Sequence, residues 1–171
     1  MARAAHEIAV NAPIEAVYAQ WTQFEEFPRF MEGVDEVRQL DDRRMHWRAN
    51  IAGRDVEWDA EIREQVPHDK IVWRSIDGAS TAGLVSFQPL DSGRTRVHLE
   101  LSYEPEGALE QAGDALGIVE RQVEGDLERF KDFIEARGGR PTGAWMGTIT
   151  NEDAPTGHTR GMGSPDIPPE T

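Results

Sequence analysis

The sequence predicts an α+β fold: a curved antiparallel β-sheet around one long C-terminal α-helix, with two short helices after the first strand. Three observations carry this expectation. Apolar residues alternate with polar ones over residues 44–63, and "IVWRSI", "LVSFQPL" and "TRVHLELSY" read as further strands. Such period-2 alternation marks half-buried antiparallel strands. Between about Pro105 and Arg137 the spacing changes: Leu109, Leu116, Val119, Val123, Leu127, Phe130 and Ile134 recur at helical intervals, the pattern of a helix with one buried face.

The elements follow in order. "RAAHEIAV" ends on a short β-like run. Asn11 suits a helix cap and Pro13 a first helical turn. Ile14, Val17, Tyr18 and Trp21 then stand at i, i+3, i+4 and i+7, a helical stripe. "FEEFPRF" predicts a second short helix that Pro28 limits. In "RMHWRANIAGRDVEWDAEIREQV" two alternating arms flank "AG", a hairpin. "DSG" predicts a three-residue hairpin loop with Gly93 in the left-handed conformation. The glycines at 107, 113 and 117 weaken the start of the long helix, so a bend or a delayed start near 113 is expected. Gly138 and Gly139 end it.

With 171 residues, one domain with an appendage is the natural organisation, large enough for a core without disulfides or metal. The domain is expected over 1–138. Residues 139–171 are rich in Gly, Pro, Thr and Ser and read as a disordered tail, with "AWMGTI" as a segment that can dock. No cysteine is present, which excludes disulfides, thiolate zinc sites and a cysteine nucleophile. No apolar run approaches the roughly 20 residues of a membrane span, and the N-terminus lacks a signal-peptide core. The expectation is a soluble cytoplasmic protein. The net charge of −14 repels phosphates, which argues against nucleic acid and anionic membrane surfaces as partners.

A two-residue turn at Ala52–Gly53 fixes the hairpin register. Trp47 then faces Trp58 and Met45 faces Ala60, while Arg48 meets Glu57, His46 meets Asp59 and Arg44 meets Glu61 on the other face. Cross-strand ion pairs of that kind contribute roughly 0.2–1 kcal/mol each. His46 beside Asp59 therefore reads as a solvated pair rather than a general base. His98 falls on the outer face, and His68 reads as an exposed loop residue. The histidines lack metal-ligand spacing, no nucleophile elbow or phosphate-binding loop is present, and no catalytic set, metal or cofactor is assigned.

The inner face differs. Trp47, Trp58, Ile62, Trp73, Phe87, Leu99 and Tyr103 share it, with Met45 on the same phase. A strongly curved sheet around one helix leaves a wedge. Either it encloses an apolar pocket, typically roughly 300–1,000 Å³, or the tryptophans fill it. Leu116 and Val123 would face it from the helix, and Phe27 and Phe30 would form its rim.

The blocks "APIEAVYAQWTQFEEFPRFM", "VPHDKIVWRS", "GRTRVHLELSYEP" and "GDLERFKDFIEARG", in this order, resemble the START-like (SRPBCC) superfamily over about residues 3–138. The likeness is greatest to its polyketide cyclase/dehydrase family, which includes coenzyme Q-binding START-type proteins. The resemblance implies a helix-grip (START/Bet v 1-like) fold with a cavity between sheet and helix. It implies a ligand carrier for a small hydrophobic or aromatic molecule (lipid, quinone or polyketide-like), or a metal-free cyclase/dehydratase. A non-catalytic interaction protein, using the acidic face or Trp145, is the third reading. The twelve positions from Phe27 to Val123 named above are the expected lining or rim of a ligand site.

Overall fold

The structure, a computed structural model, describes residues 2–51, 53–104 and 113–150, with side chains at 3–50, 53–104 and 117–150. Seven strands form one antiparallel sheet: β1 (Ala2–Val10), β2 (Val34–Gln39), β3 (Arg44–Ile51), β4 (Arg54–Val66), β5 (Lys70–Gly78), β6 (Thr81–Asp91) and β7 (Arg94–Tyr103). Their spatial order is β1-β7-β6-β5-β4-β3-β2. Six strands meander, and β1 closes the far edge against β7. Helix α1 (Ile14–Trp21) and a 3₁₀ helix (Phe24–Arg29) connect β1 to β2, and α2 (Gly113–Ala136) crosses the concave face. This is the helix-grip fold that the resemblance implies.

The sheet curls because its ladders are interrupted. Register shifts lie between Val34 and Glu36, Asp59 and Ala60, Ile62 and Glu64, and Pro89 and Asp91. An unmatched residue bends its strand and increases the local twist, and the β4–β5 ladder has two, Arg63 on β4 and Ile76 on β5. The β3–β4 register is the one the turn dictates: Trp47 pairs with Trp58, His46 with Asp59 and Arg48 with Glu57.

Gripping one helix with a curled sheet leaves a deep interior, and large side chains fill it. Trp47 stacks on Trp58 (centroids 5.5 Å apart, planes 15° apart) and on Trp73 (5.9 Å, 16°). Trp73 lies over Gly83, its partner on β6, where any Cβ would run into the indole. Beside this stack, Trp21, Phe27, Phe30 and Phe130 pack with centroids 5.0–5.6 Å apart. From α2, Val119, Val123, Leu127, Phe130 and Ile134 are all buried.

Several local expectations change. Asn11 does not cap α1; Pro13 holds that position, and the Asn11 N–H donates to Glu135 (2.7 Å). Gly93 is not among the glycines with positive φ. The Asp91 carboxylate accepts from the Gly93 N–H and from Arg94 Nε and so holds the turn itself. Arg48 pairs with Glu36 while His46 engages both Asp59 and Glu57, and Arg44 pairs with Asp41 while Glu61 pairs with Arg63. His68 is not simply exposed: it has φ of 65°, its Nε2 is buried, and its ring meets Tyr18 edge-on at 5.5 Å. Residues 105–112, the expected first turns of the long helix, lie outside the described residues.

The C-terminus of α2 behaves as expected. Gly138 and Gly139 have φ of 68° and 74°. Their N–H groups donate to the carbonyls of Glu135 and Ile134, the glycine-dependent closure that satisfies a helix's last acceptors. Contacts continue beyond position 138, where the sequence places the domain boundary. The Thr142 and Trp145 N–H groups donate to Gln20 and Thr22. Ile149 forms an antiparallel bridge with Gln65, on the part of β4 that extends beyond β3. Residues 151–171 lie outside the described residues.

Two substitutions test this packing by urea denaturation. Phe30→Ala should cost about 3–5 kcal/mol, the usual price of emptying a buried aromatic site; a loss under about 1 kcal/mol contradicts the packing. Gly83→Ala should cost about 1–3 kcal/mol and weaken the near-ultraviolet dichroism of the tryptophan stack. An unchanged spectrum contradicts the Trp73–Gly83 contact.

Candidate functional site

The tryptophan stack stops short of the region where β6 and β7 face the first half of α2. A cavity of about 60 Å³ remains there. That is room for a few water molecules at most, well under the roughly 300–1,000 Å³ of ordinary ligand pockets. Trp47, Ala49, Trp58 and Trp73 form one wall, and Thr81, Ala82, Leu101, Ser102 and Tyr103 the next. Helix α2 contributes Val119, Gln122 and Asp126, the loop after the 3₁₀ helix Met31 and Gly33, and the start of β2 Val34.

The wall is mainly apolar, but its polar atoms are notable. The indole N–H groups of Trp47 and Trp58 and the hydroxyl of Thr81 are buried and have no hydrogen-bond partner among the described residues. Each such group forfeits about 1–3 kcal/mol relative to a satisfied one. Asp126 is 2% exposed. Its Oδ1 accepts from the Glu32 N–H (3.3 Å) and from Arg129. Burial pushes the Asp126 carboxyl up to about 7, against the pull of the Arg129 guanidinium.

The same groups hold the rim loop onto α2. Arg129 Nε donates to the Phe30 carbonyl (2.9 Å), and the Asn50 N–H donates to the Gly33 carbonyl (2.7 Å). Outside this loop lies a groove of about 460 Å³ lined by Glu32, Gly33, Asn50, Arg121, Gln122 and Arg129.

Of the residues expected at a ligand site, Trp47, Trp58, Trp73 and Tyr103 line the cavity. Phe27, Phe30, Met45, Ile62, Phe87, Leu99 and Val123 are buried in the surrounding core and are not part of its lining. Phe27 and Phe30, expected as packing at its rim, are 0% and 1% exposed. The side chain of Leu116 lies outside the described residues. Sequence reasoning missed Thr81, Gln122 and Asp126. Asp126 had a signal, since it stands three residues after Val123 on the buried stripe of α2. On the convex face, hydrogen bonds that His46 donates to Asp59 and then Glu57 raise its pKa, and His98 lies between Glu7 and Glu100. Among the described residues no group of three acidic or histidine side chains is arranged to hold a metal ion.

Comparison with known proteins agrees with this architecture. Residues 10–132 match the family described as polyketide cyclase / dehydrase and lipid transport. An uncharacterized 17.2 kDa protein of Streptomyces lincolnensis is 45% identical over 150 residues, 87% of this chain and 99% of that one. A crystal structure from Deinococcus radiodurans is 27% identical, with a TM-score of 0.63, over 80% of this chain and 98% of that one. The Zhui aromatase/cyclase of Streptomyces sp. R1128 shares the fold at 17% identity, with a TM-score of 0.65, over 80% of this chain and 94% of that one. With its seven-stranded grip, its interior cavity and these matches, the chain belongs to the polyketide cyclase/dehydrase and lipid transport family.

Proposed function

We propose that the protein binds a small hydrophobic or aromatic molecule bearing acceptor oxygens, such as a quinone, a polyketide-like compound or an oxygenated lipid. The site is the space between the sheet and α2. One observation carries the reading: two tryptophans and a threonine that line a mainly apolar cavity have buried N–H and O–H groups without hydrogen-bond partners among the described residues. Carbonyl or phenolic oxygens would satisfy those donors while the flat apolar body lies against the edges of the tryptophan stack. Apolar burial would supply most of the affinity, at about 25 cal/mol per Å² before the costs of association. At 60 Å³ the cavity must widen to accept such a ligand. The lack of cysteine supports a cytoplasmic setting, and no helix among the described residues is long and apolar enough to cross a membrane.

A second reading, a cyclase or dehydratase, is favoured by Asp126. A carboxyl that titrates near 7 and lines the cavity suits general acid–base work. In that case Asp126→Asn abolishes turnover of a poly-β-ketone substrate mimic and leaves its binding in place.

Native mass spectrometry and tryptophan fluorescence against a panel of quinones, aromatic polyketides and fatty acids test the binding reading. The expected result is saturable quenching by an oxygenated ring compound and none by its deoxygenated hydrocarbon. Equal binding of the two removes the role of the unpartnered donors, and no binding removes the function.

The buried carboxyl makes a separate prediction. Its folded-state pKa lies above the unfolded value, so between about pH 4 and 7 the native state holds a proton that the unfolded chain has lost. Stability from this group is present at low pH and is lost as pH rises through 7. Asp126→Asn should therefore gain on the parent protein by up to about 4 kcal/mol between pH 4 and 8. Parallel pH–stability curves contradict the assignment.

A further inference from the structure

We infer that Gln122 is the door of the inner cavity, and that ligand passes from the outer groove over Gly33 to reach Trp47 and Trp58. This rests on the proposed binding function and adds its route. Gly33 and Gln122 line both the 60 Å³ inner cavity and the 460 Å³ outer groove, so between them they form a partition. Position 33 contributes only backbone to it. The end of the Gln122 side chain occupies the space that a Cβ at position 33 would take.

The two sides of the partition differ in how firmly they are held. The rim loop is tied at Phe30, Glu32 and Gly33, by Arg129, Asp126 and Asn50 respectively. The Gln122 amide makes no hydrogen bond among the described residues. The loop is thus the frame and the glutamine the moving part. Gln122 is half-buried, and turning its side chain away from Gly33 breaks no hydrogen bond among the described residues.

With Gln122 turned aside, the inner space joins the outer one and reaches the size range of small-molecule sites. The joined site is apolar at the tryptophan end and polar at the groove end. There Arg121 is exposed and makes no ion pair among the described residues. The ligand class that fits is amphipathic: a flat apolar body inside and a polar or anionic end in the groove.

Acrylamide quenching tests the door without any ligand. The protein carries Trp145→Phe so that this partly exposed tryptophan of the segment after α2 does not dominate the signal. Gln122→Ala and Gln122→Ser should raise the bimolecular quenching constant of the buried tryptophans several-fold at unchanged melting temperature. Gln122→Met, which keeps the length of the side chain, should leave it at the parent value. The inference is overturned if the two truncations quench like the parent, or if Gln122→Met is as open as Gln122→Ala. A second arm uses 1-anilinonaphthalene-8-sulfonate, a ring compound with an anionic end: its association rate should rise in Gln122→Ala, and Arg121→Gln should weaken its binding. An unchanged association rate in Gln122→Ala also overturns the door. Acrylamide access that rises while the ligand panel finds no binder upholds the door and fails the binding function; a panel binder with unchanged access does the reverse.

Discussion

Everything in this fold depends on filling the wedge that a curled sheet makes around a single helix. Trp47 does most of this, because it stands between Trp58 and Trp73 and in contact with Phe27. Its neighbours are placed by the backbone: Trp58 by the β3–β4 register, and Trp73 by a glycine on the next strand that leaves room for the indole. Burying these aromatic surfaces stabilises the domain strongly, at 150–250 Å² per ring. The same stack leaves a cavity of only about 60 Å³ against α2 among the described residues.

That remnant is where stability and function separate. A core selected only for packing would place apolar atoms against α2. Instead two indole N–H groups and a threonine hydroxyl of lining residues are buried without partners among the described residues, and the buried Asp126 lines the same cavity. Asp126 also ties the rim loop to the helix, with Arg129 completing the connection. One residue thus carries an ionisable group at the cavity wall and part of the frame around its opening. Protonation near neutrality links the two, because a neutral carboxyl holds Arg129 less firmly than a carboxylate does.

Much of the fold was legible in the sequence because its cause is local. A two-residue turn at "AG" sets every pair of the β3–β4 hairpin, and period-2 alternation then assigns the tryptophans to the inner face. Paired glycines mark the end of α2. The outer-face ion pairs were less legible, since long side chains reach diagonal neighbours and the register does not say which. Arg48 chose Glu36 on β2 over its facing residue. The site was legible only at its walls. Phe27 and Phe30 read as a rim because they flank Pro28 in a short helix, yet a deep interior takes both in completely. Asp126 and Gln122 were hidden because a charged or amide residue on an amphipathic helix ordinarily faces water. Only the depth of the grip turns them inward. The docking of residues 142–149 depends on an unpaired stretch of β4, which exists only once β3 has ended.

The proposed ligand site is the space between the tryptophans and α2, held nearly closed by Gln122. The most direct test is a crystal structure of the protein soaked with 1,4-naphthoquinone. The expected result is a ring lying against the edges of the tryptophan stack, a quinone oxygen within hydrogen-bonding distance of an indole N–H or the Thr81 hydroxyl, and Gln122 turned away from Gly33. A solid interior, with the quinone absent or confined to the outer surface and Gln122 still over Gly33, would contradict it.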